Sequence, residues 1–286
     1  MLFESSEQFL NAKQHAITVF GMAGVGKTRL SALLRKDDWF HYSIDYRIGT
    51  RHMSEFIVDN FKREAMKVPF LRDLLSSDSI YISSNLTFDN LSPLSTYLGT
   101  PGDIKKGGLA FEEYQKRQEQ HYIAEIATLK DIPHFIERAK DLYDCNNFIA
   151  DTGGSLIEVI DVENPNDEVI KTLTKNTALL YIEGNEDDAQ KLITRFKKSP
   201  KPMYYRPQFL KQKWAEYKQL HDHKTDMEVD PKQFASWGFE ALLHDRLPRY
   251  KALATRYGYI ISSSDVATIR DAKDFMSLMQ KAIQNR

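Results

Sequence analysis

The sequence predicts an α/β fold: a central, mostly parallel sheet of five strands flanked by helices, with a large helical insertion after the second strand. Three observations predict it. Short runs rich in β-branched and aromatic residues occur at five places along the 286 residues, with helical stretches between them. The first run stops at a glycine-rich turn and passes directly into the helical spacing of Leu30, Leu33 and Leu34. The second and third runs are separated by about a hundred residues, far beyond an ordinary connection, so that segment carries structure of its own.

The first strand is Ile17-Thr18-Val19-Phe20, and the turn that ends it is Gly21-Met22-Ala23-Gly24-Val25-Gly26-Lys27-Thr28. Every fixed position fits G-x-x-x-x-G-K-[ST], the P-loop pattern. Its glycines let the backbone turn tightly and aim successive N–H groups inward, and a helix starting near Lys27 adds the positive end of its dipole. The product is a cradle for phosphate oxygens formed by residues 21–28 together with Arg29 in the first helical turn. Lys27 is placed to reach β- and γ-phosphates and Thr28 to offer its hydroxyl to Mg²⁺.

Trp39-Phe40-His41-Tyr42-Ser43-Ile44 is the second strand, and Asp45 closes it. Residues 53–145 then form the insertion: turn-rich helical pieces to 108, followed by charged amphipathic helices over 109–143 with Tyr114, Ile123, Ile126 and Leu129 among the apolar positions. A substrate-side cap over the carboxyl edge of the sheet and an ornamental surface subdomain are equal readings of it. Residues 1–52 and 146–286 make the core. The third strand, Phe148-Ile149-Ala150, ends in Asp151 and is followed by Thr152-Gly153-Gly154-Ser155. The fourth is Ala178-Leu179-Leu180-Tyr181-Ile182. After it, 186–202 begins acidic and ends basic, the order a helix dipole favours, and its Arg195, Lys197, Lys198 and Lys201, with Arg206 beyond, suit a lid over phosphates. The last strand is Gly258-Tyr259-Ile260-Ile261.

Composition narrows the function classes. A hydrophobic content of 42% supports a packed core rather than disorder. Thirty-nine basic residues nearly cancel forty acidic ones, so nothing in the overall charge calls for nucleic acid or a membrane surface. The single cysteine, Cys145, excludes an intrachain disulfide and a cysteine-based zinc site, and the amino terminus lacks a signal-peptide design; a cytoplasmic protein is the expectation. His221 and His223 sit in a polar stretch and read as surface rather than as a metal site.

Phosphoryl transfer also needs an acid for Mg²⁺ and a group that positions the acceptor. Asp45 and Asp151, each just after a strand, are the candidates, and the sequence leaves open which is nearer the metal. At this point the chain resembles the P-loop small-molecule kinases, most specifically the shikimate kinase group, within the P-loop NTPases. Gly21 to Thr28 matches that group's loop and Ser43-Ile44-Asp45 stands in the place of its D-x-D. Gly153-Gly154-Ser155 stands in the place of its GGG, Arg195 lies in a lid-like segment, and Arg206-Pro207 is similar to its later R-P stretch. The resemblance implies ATP as the nucleotide, Mg²⁺ as the metal, and catalysis by Lys27, Asp45 and Arg195. It also implies acceptor contacts from Gly153, Gly154 and Arg206. Arg47 and Arg51 are further candidates for anionic groups of the acceptor. Two departures stand out: Ser43 replaces the first acid of D-x-D, and the group's F-R-x-x-E motif has no counterpart. The expectation is a kinase acting on a hydroxyl of a small or medium-sized acceptor. The loop is also similar to that of NTPase switches, although those typically carry a second acid after the third strand where Thr152 follows Asp151 here; a switch or a partner-dependent module is the alternative. No N-K-x-D guanine motif occurs.

Overall fold

A computed structural model describes residues 1–286. Its five strands are β1 (Ala16–Phe20), β2 (Trp39–Ser43), β3 (Asn147–Asp151), β4 (Ala178–Glu183) and β5 (Gly258–Ser262). All neighbours pair parallel, in the order β2-β3-β1-β4-β5. A sheet of this kind is covered on both faces, which explains why its strands read as continuous apolar runs rather than alternating ones. Ile17, Val19 and Phe20 in β1 and Leu179, Leu180 and Ile182 in β4 are fully buried.

Strand β1 lies at the centre, with Val19 opposite Asp151 on one side and opposite Leu180 on the other. The chain leaves β1 toward β2 and leaves β4 toward β5, in opposite directions. Such divergence at the carboxyl ends of adjacent strands opens the crevice where open α/β sheets take their ligands.

The chain forms two compact units: residues 1–44, 125–200 and 236–286 in the first, and 45–124 and 201–235 in the second. Aromatic stacking fills the first. Tyr181 lies 5.4 Å from Phe20 and 5.8 Å from Tyr250 between ring centroids, and Phe148 stacks on Phe40 at 6.0 Å. The second is mostly helical. Trp214 stacks on Phe111 at 4.7 Å and meets the edge of Phe234 at 4.8 Å. No helix is long and apolar enough to cross a membrane.

One helix departs from its expected pattern. Phe111–Lys130 buries Tyr114 and Leu129, but Ile123 is 59% exposed, and the inward positions include Arg117, Gln118, His121, Glu125 and Thr128. Polar side chains can occupy such positions only when hydrogen-bonded. The Gln118 amide donates to the Met203 carbonyl at 3.2 Å while its oxygen accepts from Tyr205 N at 2.8 Å. Arg117 Nε donates to Glu113 at 2.8 Å. The polar stripe is buried because it finds partners, among them backbone groups of neighbouring segments, which the periodicity of one helix does not reveal.

Phe148 is 2% exposed on a strand flanked by two others. Replacing it with alanine is expected to cost about 3–5 kcal/mol, read as a lower urea midpoint at unchanged m-value.

Candidate functional site

The loop between β1 and the helix Lys27–Leu34 is a backbone device. Gly21 and Gly26 hold φ of 139° and 99°, a region side-chain-bearing residues rarely adopt. Space imposes the same choice: a β-carbon on Gly21 would lie 2.7 Å from the Ile182 carbonyl oxygen, and one on Gly26 would lie 3.1 Å from Val266 Cγ1. Lys27 is 7% exposed, and its ammonium donates to the carbonyls of Gly21 and Met22, both at 2.8 Å. A buried cation needs such acceptors. The loop thus carries its lysine folded against its own backbone, while Thr28 is exposed at the start of the helix.

Three further segments surround the loop. Beyond β4, the Met22 methyl and Val25 pack against Gly184, in space a β-carbon there would occupy. The next helix, Glu186–Lys198, starts with a capping box: Asp188 N donates to the Asn185 side chain at 2.8 Å and Asn185 N donates back to the Asp188 carboxylate at 3.1 Å. Its Arg195 Nη2 lies 3.8 Å from where a β-carbon on Gly24 would sit, so the guanidinium stands against the loop. Beyond β5, the Ser263 hydroxyl donates to the same Asp188 carboxylate at 2.6 Å. Arg29 donates to the carbonyls of Val266 at 3.0 Å and Ile269 at 3.2 Å, fastening the helix Lys27–Leu34 to that segment.

Asp151 closes β3 beside β1, is 6% exposed, and sits opposite Ser43 in register. His41 Nε2 lies 3.5 Å from its carboxylate. The next residue, Thr152, donates from both N (3.2 Å) and Oγ1 (3.0 Å) to the Val19 carbonyl, which locks the β3 exit to the β1 exit.

Past it, Gly153 and Gly154 lead into a buried charge cluster that sequence reading missed. The Tyr250 hydroxyl donates to the Gly154 carbonyl. Ser155 Oγ donates to Glu125 at 2.8 Å, and Arg246 Nε and Arg249 Nη1 both donate to Glu158 at 3.0 Å. Glu158 has no exposed side-chain surface. Burial alone would pull the Arg246 guanidinium down, but Glu158, Tyr250 and Glu125 outweigh it and the net shift is upward. Burial pushes Tyr250 up to about 12, against the opposing pull of Arg246. The only sequence signal for the cluster was polar residues at helical spacing in Phe111–Lys130 and a charged turn, Asp245-Arg246, in a later helix.

The first unit therefore brings together residues 21–29, Asp151, Gly153, Gly154 and Arg195. The other candidates belong to the second unit. Asp45 and Arg47 lie in the short helix Ile44–Arg47, because β2 ends at Ser43 rather than at Ile44. Arg51 is exposed in the π-turn Ile48–His52, and the Arg206 guanidinium covers the Phe209 ring at 5.0 Å. The lid cluster also divides: Lys197 pairs with Glu240 at 2.6 Å, and Lys201 and Arg206 belong to the second unit. No family model and no curated protein matches the chain.

Tyr250→Phe removes the Gly154 contact and is expected to cost about 1 kcal/mol at neutral pH. Between pH 10 and 12 the sign changes. There the wild-type unfolded state ionises this phenol before the folded state does, so wild type loses roughly 2 kcal/mol that the variant keeps. Urea titrations of both proteins across that window check it.

Proposed function

We propose that this chain is a P-loop kinase that binds Mg-ATP on residues 21–28 and transfers the γ-phosphate to a hydroxyl of a small or medium-sized acceptor, in the cytoplasm. The observation that carries the reading is the loop itself on the central strand, with Lys27 held inside it, Arg195 against Gly24 and Asp151 one strand away.

The residues fit the groups they are assigned. The backbone N–H groups of 22–28 bind phosphate oxygens, and Lys27 exchanges its two carbonyl acceptors for β- and γ-oxygens. Mg²⁺, when bound, neutralises charge developing on the transferred group. Thr28 supplies a hydroxyl toward it and Asp151 a carboxylate. No group of three or more His, Cys, Asp or Glu side chains is arranged as a metal cage, and a magnesium site built on one carboxylate and substrate phosphates does not require one. Arg195 stabilises negative charge on the transferred phosphoryl group. Gly153 and Gly154, in the same unit as the loop, contact the acceptor; Asp45 keeps the acceptor-orienting role expected of it, and Arg47, Arg51 and Arg206 the anion contacts. In this reading residues 53–145 are a helical insertion that shapes the acceptor pocket.

One observation favours a second reading, an ATPase acting as a switch or with a partner. Ser43 lies opposite Asp151 where the resemblance expects an acid, which leaves the metal side with fewer carboxylates.

Transfer of labelled γ-phosphate from Mg-ATP into a small molecule of a pooled metabolite extract is the test. Label in a small molecule, reduced about a hundredfold or more by Lys27→Ala, is the expected result. Free phosphate alone, unchanged by the extract, overturns the kinase reading and favours the switch. Asp45→Asn is expected to lose turnover with nucleotide affinity retained, whereas Asp151→Asn weakens Mg-nucleotide binding itself; paired binding and rate measurements separate them.

A further inference from the structure

The outward face of the helix Glu186–Lys198 carries a shallow, open groove, lined from this one helix by the exposed side chains of Asp187, Gln190, Lys191, Thr194, Arg195 and Lys198. These positions recur at helical spacing opposite the buried face of Ala189, Leu192, Ile193 and Phe196. Phe196 stacks on Phe239 at 3.9 Å, and Lys197 is taken by Glu240, so the helix is seated and the groove face is fixed outward. The groove holds three cations against one carboxylate. No ion pair engages Lys191, Arg195 or Lys198.

We propose that this groove binds a small polyanion, a molecule carrying two or more phosphate or carboxylate groups, and that Lys191 and Lys198 are its specific contacts. Arg195 is the shared edge: it faces the phosphate loop at Gly24 and lines the groove, so a ligand there lies next to the phosphates assigned to residues 21–28. Lys191 and Lys198 extend the positive surface away from the loop. At 1.5 Å rise per residue they stand roughly 10 Å apart along the axis, with Arg195 between them, a spacing that rewards separated anionic groups over one. No aromatic side chain lines the groove, so it lacks the stacking surface that single-stranded nucleic acid uses. Gln190 and Thr194 add neutral hydrogen-bonding groups for the hydroxyls of such a ligand. That the polyanion is the phosphoryl acceptor rests on the kinase reading above; that it binds does not.

The probe is inorganic tripolyphosphate, titrated by calorimetry into wild type saturated with Mg-AMP-PNP, into Lys27→Ala, and into Lys191→Ala/Lys198→Ala. The expected result is saturable binding in the first two, weakened about tenfold or more in the third. Binding that tightens at low salt in wild type and loses that dependence in the double variant belongs to the same outcome. A Lys191→Glu/Lys198→Glu variant, folded by circular dichroism, abolishes it. Binding lost in Lys27→Ala but intact in the double variant overturns the proposal, because the phosphate loop is then the only anion site. Absence of saturable binding to nucleotide-saturated wild type overturns it too. Failure of Mg-AMP-PNP to bind wild type removes the kinase reading, and the Lys27→Ala titration then judges the groove alone.

Discussion

The central position of β1 is the constraint on which the arrangement depends. Because β1 is paired on both sides, its exit cannot shift without breaking two ladders, and the loop that follows inherits that rigidity. Thr152 donating twice to the Val19 carbonyl and the Ile182 carbonyl closing on Gly21 fix the two neighbouring strand exits to the same point. The phosphate cradle proposed for this loop would need N–H groups that do not reorganise around a ligand, and a doubly paired strand provides that preorganisation.

Much of the sheet was legible because its strands are buried on both faces: each reads as a short apolar run, and the boundaries fall within a residue or two. Residues 21–28 were legible because their requirement is local. Glycine at 21 and 26 is dictated by backbone conformation, which a four- or five-residue window contains. The rest of the site depends on contacts remote in sequence. Nothing near Glu158 announces that Arg246 and Arg249 meet it, since the partners lie 88 and 91 residues away. The His41 and Asp151 pair comes from parallel register, which no single strand encodes. Ile123 was misplaced because its helix packs through polar groups, and periodicity finds only apolar stripes.

The cluster of Glu125, Ser155, Glu158, Arg246 and Arg249 has a different physical character from the loop. Buried ions of this kind contribute little net stability, but removing one partner leaves an uncompensated charge, so they define one geometry strongly. Here that geometry is the turn at Gly153 and Gly154, held through Tyr250 at the carboxyl edge of β3. Rigidity beside the β1 exit therefore comes from two sources, backbone pairing and paired charge.

The capping box at Asn185 has a consequence for timing. Asp188 ties the start of its helix both to its own backbone and to Ser263, and the stacking of Phe196 on Phe239 holds the far end. A helix pinned at both ends does not swing as a body. Movement over the loop then falls to the Arg195 side chain, an exposed group that exchanges rotamers in picoseconds to nanoseconds. A side-chain reorientation of this kind is far faster than the microsecond-to-millisecond closure of a hinged domain.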